Sequence, residues 1–282
     1  MSSEDMKDWF IEPVWQNFSS MYREAITSLE ARTGMETAHH RIASLYFGVS
    51  ALEAFLNQKM RTKMLADGEN EDAIFQVLRK GQITDKLKNW PKELQVQLNL
   101  RPGSMAKLGE INQLRGNLTH QKNFWPHAYR ELSQSDPASV VDIVAEYIVE
   151  FHKGHGSPAP YWIFGWNYLN PRKDAHDIIL LNEGQLMHSL RALGYRFGAP
   201  QWNQLELIQE KLSSGYSGYS EIATFLRSVD RCEPKSDQFP FQPKLCRRWW
   251  EPSHHQSCGH ITQEAIQRSM EIDASRARPP KE

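Results

Sequence analysis

Apolar residues recur every three or four positions through the first half of the chain, which is the spacing of one face of an α-helix. A first stripe within residues 7–33 contains Phe10, Val14, Trp15, Phe18, Met21, Tyr22, Ile26 and Leu29. A second stripe within residues 36–65 contains Ile42, Leu45, Val49, Leu52 and Leu56. We expect Gly34 to end the first helix. The two helices should then pack as an antiparallel hairpin.

Three further helices are predicted before residue 153. A short one covers residues 71–79, and a longer one covers 104–120 with a stripe of Leu108, Ile111, Leu114 and Leu118. Asp136 followed by Pro137 is typical of a helix start, with Asp136 as the N-cap and Pro137 at the first helical position. The apolar face after it contains Val140, Val144, Tyr147, Ile148 and Phe151. The Gly- and Pro-rich stretch 153–160 then predicts a domain boundary.

The second half of the chain has a different character. Tyr161–Leu169 is aromatic-rich and Asp177–Leu181 is a short apolar run, and both are compatible with strands. Residues 182–197, 201–212 and 220–229 have helical patterns. The prediction is a mainly α protein, with a helical bundle at 7–152 and a smaller domain at 161–274. That smaller domain is expected to be mostly helical, with α+β as the alternative, and residues 275–282 to be a disordered tail.

The composition narrows the class of protein. Of 282 residues, 40% are hydrophobic and 24% are charged, and the net charge is -1. A chain of this kind buries a sizeable core without cross-links, and its charge argues against coating nucleic acid or membrane by bulk electrostatics. The polar, acidic start predicts no signal peptide, and no apolar run reaches the ~20 residues of a membrane span. We therefore expect a cytoplasmic protein with no membrane partner.

The segment with the most chemical content is residues 110–120, in which Arg115 is followed five positions later by His120. Histidine titrates near neutral pH and acts as a general acid or base. Arginine is always charged and binds phosphate oxygens bidentately. Arg and His at this spacing nevertheless occur by chance in many proteins.

An earlier helix makes the pair more specific. It contains the run 46–57, Tyr-Phe-Gly-Val-Ser-Ala-Leu-Glu-Ala-Phe-Leu-Asn. Together with the later Arg-x4-His motif, in this order, residues 7–152 resemble the HEPN superfamily. The resemblance implies a dimeric helical bundle and a metal-independent endoribonuclease without a cofactor. It implies Arg115 and His120 as the catalytic pair, Asn117 as a neighbouring polar residue, and Glu53 as a supporting carboxylate.

The resemblance also implies RNA as substrate, a second copy as partner, and a defence or toxin–antitoxin setting with an antitoxin protein. Products would be a 2′,3′-cyclic phosphate and a 5′-hydroxyl. One departure bears on activity: many members place a polar residue directly after the Arg, whereas this chain has Gly116. The alternative from another class is a catalytically inactive HEPN module that serves as a dimerisation or ligand-binding scaffold.

Helix geometry constrains the catalytic pair. Positions 115 and 120 differ by about 140° around a regular helix, so they do not share a face. Either the helix ends near Gly116, or the pair converges only with the pair of a second subunit. A structural interpretation stays open, in which Arg115 and His120 are cations favoured at a helix C-terminus. Glu53, amid apolar neighbours, is expected to pair with a cation of the bundle.

Two clusters between residues 232 and 258 are weaker candidates. The run Arg247, Arg248, Trp249 and Trp250 combines cations and aromatic rings, as in proteins that bind single-stranded RNA, but core tryptophans flanked by solvated arginines are the commoner case. Cys232, Cys246, His255 and Cys258 include ligand types that zinc prefers, yet they lack the close Cys pairs of structural zinc sites. The sequence has no nucleotide-binding, zinc-protease or esterase motif.

Overall fold

The computed structural model describes residues 13–120, 126–164 and 202–230. Every regular element in these ranges is helical, which confirms the mainly α prediction. The helices are α1 (Pro13–Glu30), α2 (Gly34–Ala66), α3 (Glu71–Leu78), α4 (Ile83–Glu93), α5 (Ser104–His120), α6 (Pro126–Gln134), α7 (Pro137–His155), a 3-10 helix (Tyr161–Phe164), α8 (Trp202–Ser213) and α9 (Tyr216–Asp230).

The chain divides into two compact units, and the division falls within α7. Unit 1 comprises Met1–Val96 and Arg101–Val144, and unit 2 comprises Gln97–Leu100 and Ala145–Glu282. The domain limits 7–152 and 161–274 stay predictions. None of the described helices is long and apolar enough to cross a membrane.

The α1–α2 hairpin is the central element of unit 1, and the turn between its two helices differs from the prediction. Gly34 begins α2 instead of ending α1, because Thr33 is an N-cap. The Thr33 hydroxyl accepts the Glu36 N–H, and the Glu36 carboxylate accepts the Thr33 N–H in return, which forms a capping box. Leu29, predicted to be buried, is 54% exposed because the stripe ends before the last turn of α1.

The core of unit 1 follows the predicted stripes. Its buried apolar side chains include Val14, Phe18, Met21, Leu45, Val49, Leu52, Leu56, Leu108, Leu114, Val140 and Val144. The closest approach is at Gly48 on α2, where an added Cβ would lie 3.0 Å from Met21 Sδ and 3.3 Å from Val140 Cγ1. The missing side chain therefore lets α1, α2 and the start of α7 approach one another.

Two helices of unit 1, α4 and α6, were not predicted. Proline is unfavourable within a helix, and Pro91 lies inside α4 near its C-terminal end. The short α6 ends against α2, where the Arg41 guanidinium donates to the carbonyls of Leu132 at 3.0 Å and Ser133 at 2.7 Å. These bonds satisfy carbonyls that a helix end otherwise leaves without partners.

Unit 2 contains the end of α7, the 3-10 helix, α8 and α9. Tyr161–Phe164, part of a predicted strand, forms the 3-10 helix and is buried. Glu150 Oε1 accepts the Tyr216 N–H at 2.7 Å at the start of α9, and Lys153 Nζ donates to the Ser214 carbonyl at 2.9 Å. The predictions for residues 165–201, including the run at 177–181, and for the tail 275–282 lie outside the described residues.

Candidate functional site

The candidate site is built on the last two turns of α5, and the helix does not end at Gly116. It continues through His120, so the first of the two geometric alternatives is wrong. A Cβ at Gly116 would contact nothing within 4 Å, so this residue faces open space and makes no close approach to another element. Arg115 is partly buried and Asn117 is exposed. His120 belongs to the helix, and its side chain lies outside the described part of the structure.

A chain of hydroxyl groups joins this end of α5 to α2. The Thr119 hydroxyl donates to the Arg115 carbonyl at 2.7 Å, and the Tyr46 hydroxyl forms a hydrogen bond with Thr119 Oγ1. Since the Thr119 proton is engaged with the carbonyl, Tyr46 is the donor of the second bond. The run 46–57 and the Arg-x4-His motif therefore touch, although they lie some seventy residues apart in the sequence.

Tyr46 and Thr119 were not among the residues predicted for the site. Tyr46 is the first residue of the run that carries the resemblance, and Thr119 lies beside His120. Both are polar residues within the run 46–57 or the Arg-x4-His motif, and this was the only feature of the sequence that could have indicated them. Their pairing depends on how α2 crosses α5, which local sequence patterns do not contain.

Glu53 is engaged elsewhere in unit 1. Its Oε1 lies 3.2 Å from Lys86 Nζ, so the expectation that Glu53 pairs with a cation of the bundle is confirmed. The Glu53 side chain is 42% exposed, whereas that of Lys86 is 3% exposed. Seven residues separate Glu53 from Tyr46, which is about 10 Å along a helix axis. A supporting role for Glu53 at the candidate site stays a prediction.

Lys86 is a buried cation with a complete set of partners. Its ammonium donates to Asn57 Oδ1 at 3.1 Å and to the Leu78 carbonyl at 2.6 Å, and it lies 4.9 Å from the centre of the Trp90 ring. Buried charges persist where they are paired and hydrogen-bonded. This network holds α2, α3 and α4 together, and its role is structural.

The weaker candidates lie beyond the described ranges. Arg247, Arg248, Trp249 and Trp250 lie outside them, as do Cys232, Cys246, His255 and Cys258. Within the described ranges, no three His, Cys, Asp or Glu side chains are grouped so as to hold a metal ion. Both the RNA-contact hypothesis and the zinc hypothesis for this region stay predictions.

Comparisons of the chain with models of known protein families, with curated proteins and with solved structures found no match. The functional hypothesis therefore depends on the residues of α2 and α5 and on their geometry.

Proposed function

We propose that unit 1 acts as a HEPN-type, metal-independent endoribonuclease, in which two copies of the chain form the active site. His120 would remove the proton from the 2′-OH of RNA and later protonate the leaving 5′-oxygen. Arg115 would bind the phosphate oxygens and stabilise the charge that develops on them. Asn117 would contribute a further hydrogen bond at the same helix end.

The observation that supports this proposal is the contact between the two motif segments. The bond between Tyr46 and Thr119 brings the start of the aromatic run on α2 to the turn of α5 that carries Arg115 and His120. Two segments that were selected from the sequence for their resemblance to one family are thus neighbours in space.

A second candidate function is the inactive scaffold, and one observation favours it. The carboxylate of Glu53 is paired with Lys86, and Lys86 is held by two further acceptors. A carboxylate used in this way contributes to stability and is not free to orient a catalytic group. In this second candidate, unit 1 would pair with another copy or bind a ligand without cleaving RNA.

A defence or toxin–antitoxin setting is a proposal that follows from the resemblance alone, whereas the cytoplasmic location was expected from the composition. A cytoplasmic location, a role in defence or in a toxin–antitoxin pair, and an antitoxin protein as partner belong together in that setting. RNA as substrate and a second copy of the chain as partner follow from the proposed chemistry.

The test is cleavage of a mixed RNA pool in EDTA by wild-type protein and by Arg115→Ala, Asn117→Ala and His120→Ala. His127→Ala is the matched control, because His127 is exposed on α6 and outside the candidate site. We expect wild type and His127→Ala to leave 2′,3′-cyclic phosphate ends. Arg115→Ala and His120→Ala should lose at least 100-fold in rate, by the usual contribution of acid–base and charge-stabilising groups.

Two other outcomes decide between the candidates. Cleavage that persists in both Arg115→Ala and His120→Ala would show that the assigned pair is not the catalytic pair. A wild-type protein that forms a stable dimer and cleaves no RNA would support the scaffold function instead. Circular dichroism of each variant verifies that the helical content is unchanged.

A further inference from the structure

A groove lies beside the part of α5 that precedes Arg115. It has a volume of about 520 Å³ and runs between α5 on one side and α6, the α6–α7 turn and the first turn of α7 on the other. Among the residues with described side chains, neither Arg115 nor Asn117 lines it. Its volume falls within the roughly 300–1,000 Å³ that is usual for ligand sites.

The floor of the groove is apolar. Leu45 from α2, Leu114 from α5 and Val140 from α7 are buried beneath it, and Ile111 lies beside them on α5. Ile111 is the partly exposed apolar residue of this set, so an occupant that covers it with an apolar side chain removes apolar area from water.

The rim of the groove is acidic. Among its described lining residues are three carboxylates, those of Glu110, Glu131 and Asp136, and one ammonium, that of Lys107. Asp136 Oδ1 accepts the Ala138 N–H at 3.0 Å, so that one of its oxygens caps α7. Glu110 and Glu131 are exposed, and among the described residues neither forms an ion pair.

The small polar residues of the lining are already satisfied. The hydroxyl of Ser135 donates to the Leu132 carbonyl and that of Ser139 to the Asp136 carbonyl, each at 2.7 Å. The polar groups that remain for an occupant are therefore mainly carboxylates and the amides of Gln113 and Gln134. Such a rim is complementary to cations and repels a polyanion such as RNA.

We propose that this groove is a docking site for a segment of a partner protein that carries lysine or arginine together with apolar anchor residues. The apolar side chains would occupy the floor, as an amphipathic helix does in a hydrophobic groove. The cationic side chains would pair with Glu110 and Glu131 at the rim. The proposal does not depend on whether unit 1 cleaves RNA, because none of the described lining residues is assigned a role in cleavage.

The test measures binding of a fluorescein-labelled 14-residue peptide with leucine at i, i+3, i+4 and i+7 and lysine elsewhere. A second peptide with glutamate in place of lysine is the probe control. The protein variant is Glu110→Gln/Glu131→Gln. The matched control is Glu69→Gln/Glu93→Gln, which makes the same change in charge at exposed positions away from the groove.

We expect the lysine peptide to bind wild type and Glu69→Gln/Glu93→Gln equally, and Glu110→Gln/Glu131→Gln at least tenfold more weakly. Added salt should weaken the binding, and the glutamate peptide should not bind. The proposal is overturned if the lysine peptide does not bind wild type, or if both double variants weaken it equally. It is also overturned if an RNA oligonucleotide displaces the peptide, or if Glu110→Gln/Glu131→Gln alters self-association, since the groove would then hold RNA or a second copy.

Discussion

Replacing Lys86 with methionine should destabilise unit 1 more than any other exchange of a lysine in α4. The Lys86 ammonium donates hydrogen bonds to the Leu78 carbonyl at 2.6 Å, to Asn57 Oδ1 at 3.1 Å and to Glu53 Oε1 at 3.2 Å. Methionine has nearly the same length and no charge, so the exchange removes the hydrogen bonds with little change in volume. The variant therefore isolates the contribution of the charge and its bonds.

The magnitude follows from what each partner loses. A buried hydrogen-bond acceptor that loses its donor lowers the free energy of unfolding by about 1–3 kcal/mol. A cation at the C-terminus of a helix, here α3, contributes about 0.3–1 kcal/mol to stability. Breaking a fully buried ion pair costs about 3–5 kcal/mol, but Glu53 is 42% exposed and regains water. We expect Lys86→Met to lower the free energy of unfolding by about 2–4 kcal/mol.

Urea denaturation followed by circular dichroism measures this loss. Lys88→Met is the matched control, since Lys88 is exposed on the same helix, and it should change stability by less than about 0.5 kcal/mol. Glu53→Gln retains an acceptor oxygen and should cost about 0.5–1 kcal/mol. If Lys86→Met costs no more than Lys88→Met, the inference that Lys86 joins α2, α3 and α4 is wrong. A Glu53→Gln variant that is stable but no longer cleaves RNA would instead indicate a catalytic role for Glu53.

Three further predictions concern single positions. Gly218→Ala should destabilise unit 2, because the added Cβ would lie 1.7 Å from the Lys211 carbonyl oxygen. Gly109→Ala in α5 is the contrasting case, because its Cβ would have nothing within 4 Å, and it should raise the free energy of unfolding in urea denaturation by about 0.5–1 kcal/mol. Tyr46→Phe removes the bond to the end of α5 and should cost about 0.5–1.5 kcal/mol; an unchanged urea midpoint would contradict that contact. Burial raises the pKa of the Tyr147 phenol far above its ordinary value, so the folded state keeps a proton that the unfolded state releases above about pH 10. Stability should therefore fall as the pH rises above about 10, and Tyr147→Phe should reduce that fall in urea denaturation at pH 8 and pH 11.

The long helices α2 and α5 were predictable from their apolar stripes, and so was the short α3, whereas α4 and α6 were not predicted. The predicted limits of α5 match its bounds, and those of α2 differ by two residues at the start and one at the end, because apolar residues recur at helical spacing along both helices. At the α1–α2 turn, Gly34 was expected to end α1. The capping box of Thr33 and Glu36 instead makes Gly34 the first residue of α2. In α4, Pro91 lies near the C-terminal end, where the helix tolerates it.

Only the residues of the candidate site that lie on one helix were predictable from the sequence. Arg115 and His120 lie on one helix, and their spacing is visible in the sequence. The bond between Tyr46 and Thr119 joins residues 73 positions apart, and periodicity within a helix does not specify which residues of two helices meet. Lys86 illustrates the same limit, because a lysine within a charged segment is normally exposed, whereas the arrangement of three helices buries this one.

The continuous α5 leads to one more prediction about the proposed nuclease. Positions 115 and 120 lie about 140° apart around the axis and about 7.5 Å apart along it, which is unfavourable for convergence on one phosphate within a single chain. We therefore expect each site to combine groups from two chains. Heterodimers of Arg115→Ala and His120→Ala, isolated with two different affinity tags, retain one arginine and one histidine on opposite chains. They should recover a measurable fraction of the wild-type cleavage rate, while both homodimeric variants are inactive. If the heterodimer is as inactive as its parents and the wild type cleaves RNA, both groups act within one chain, and the two-chain site is refuted.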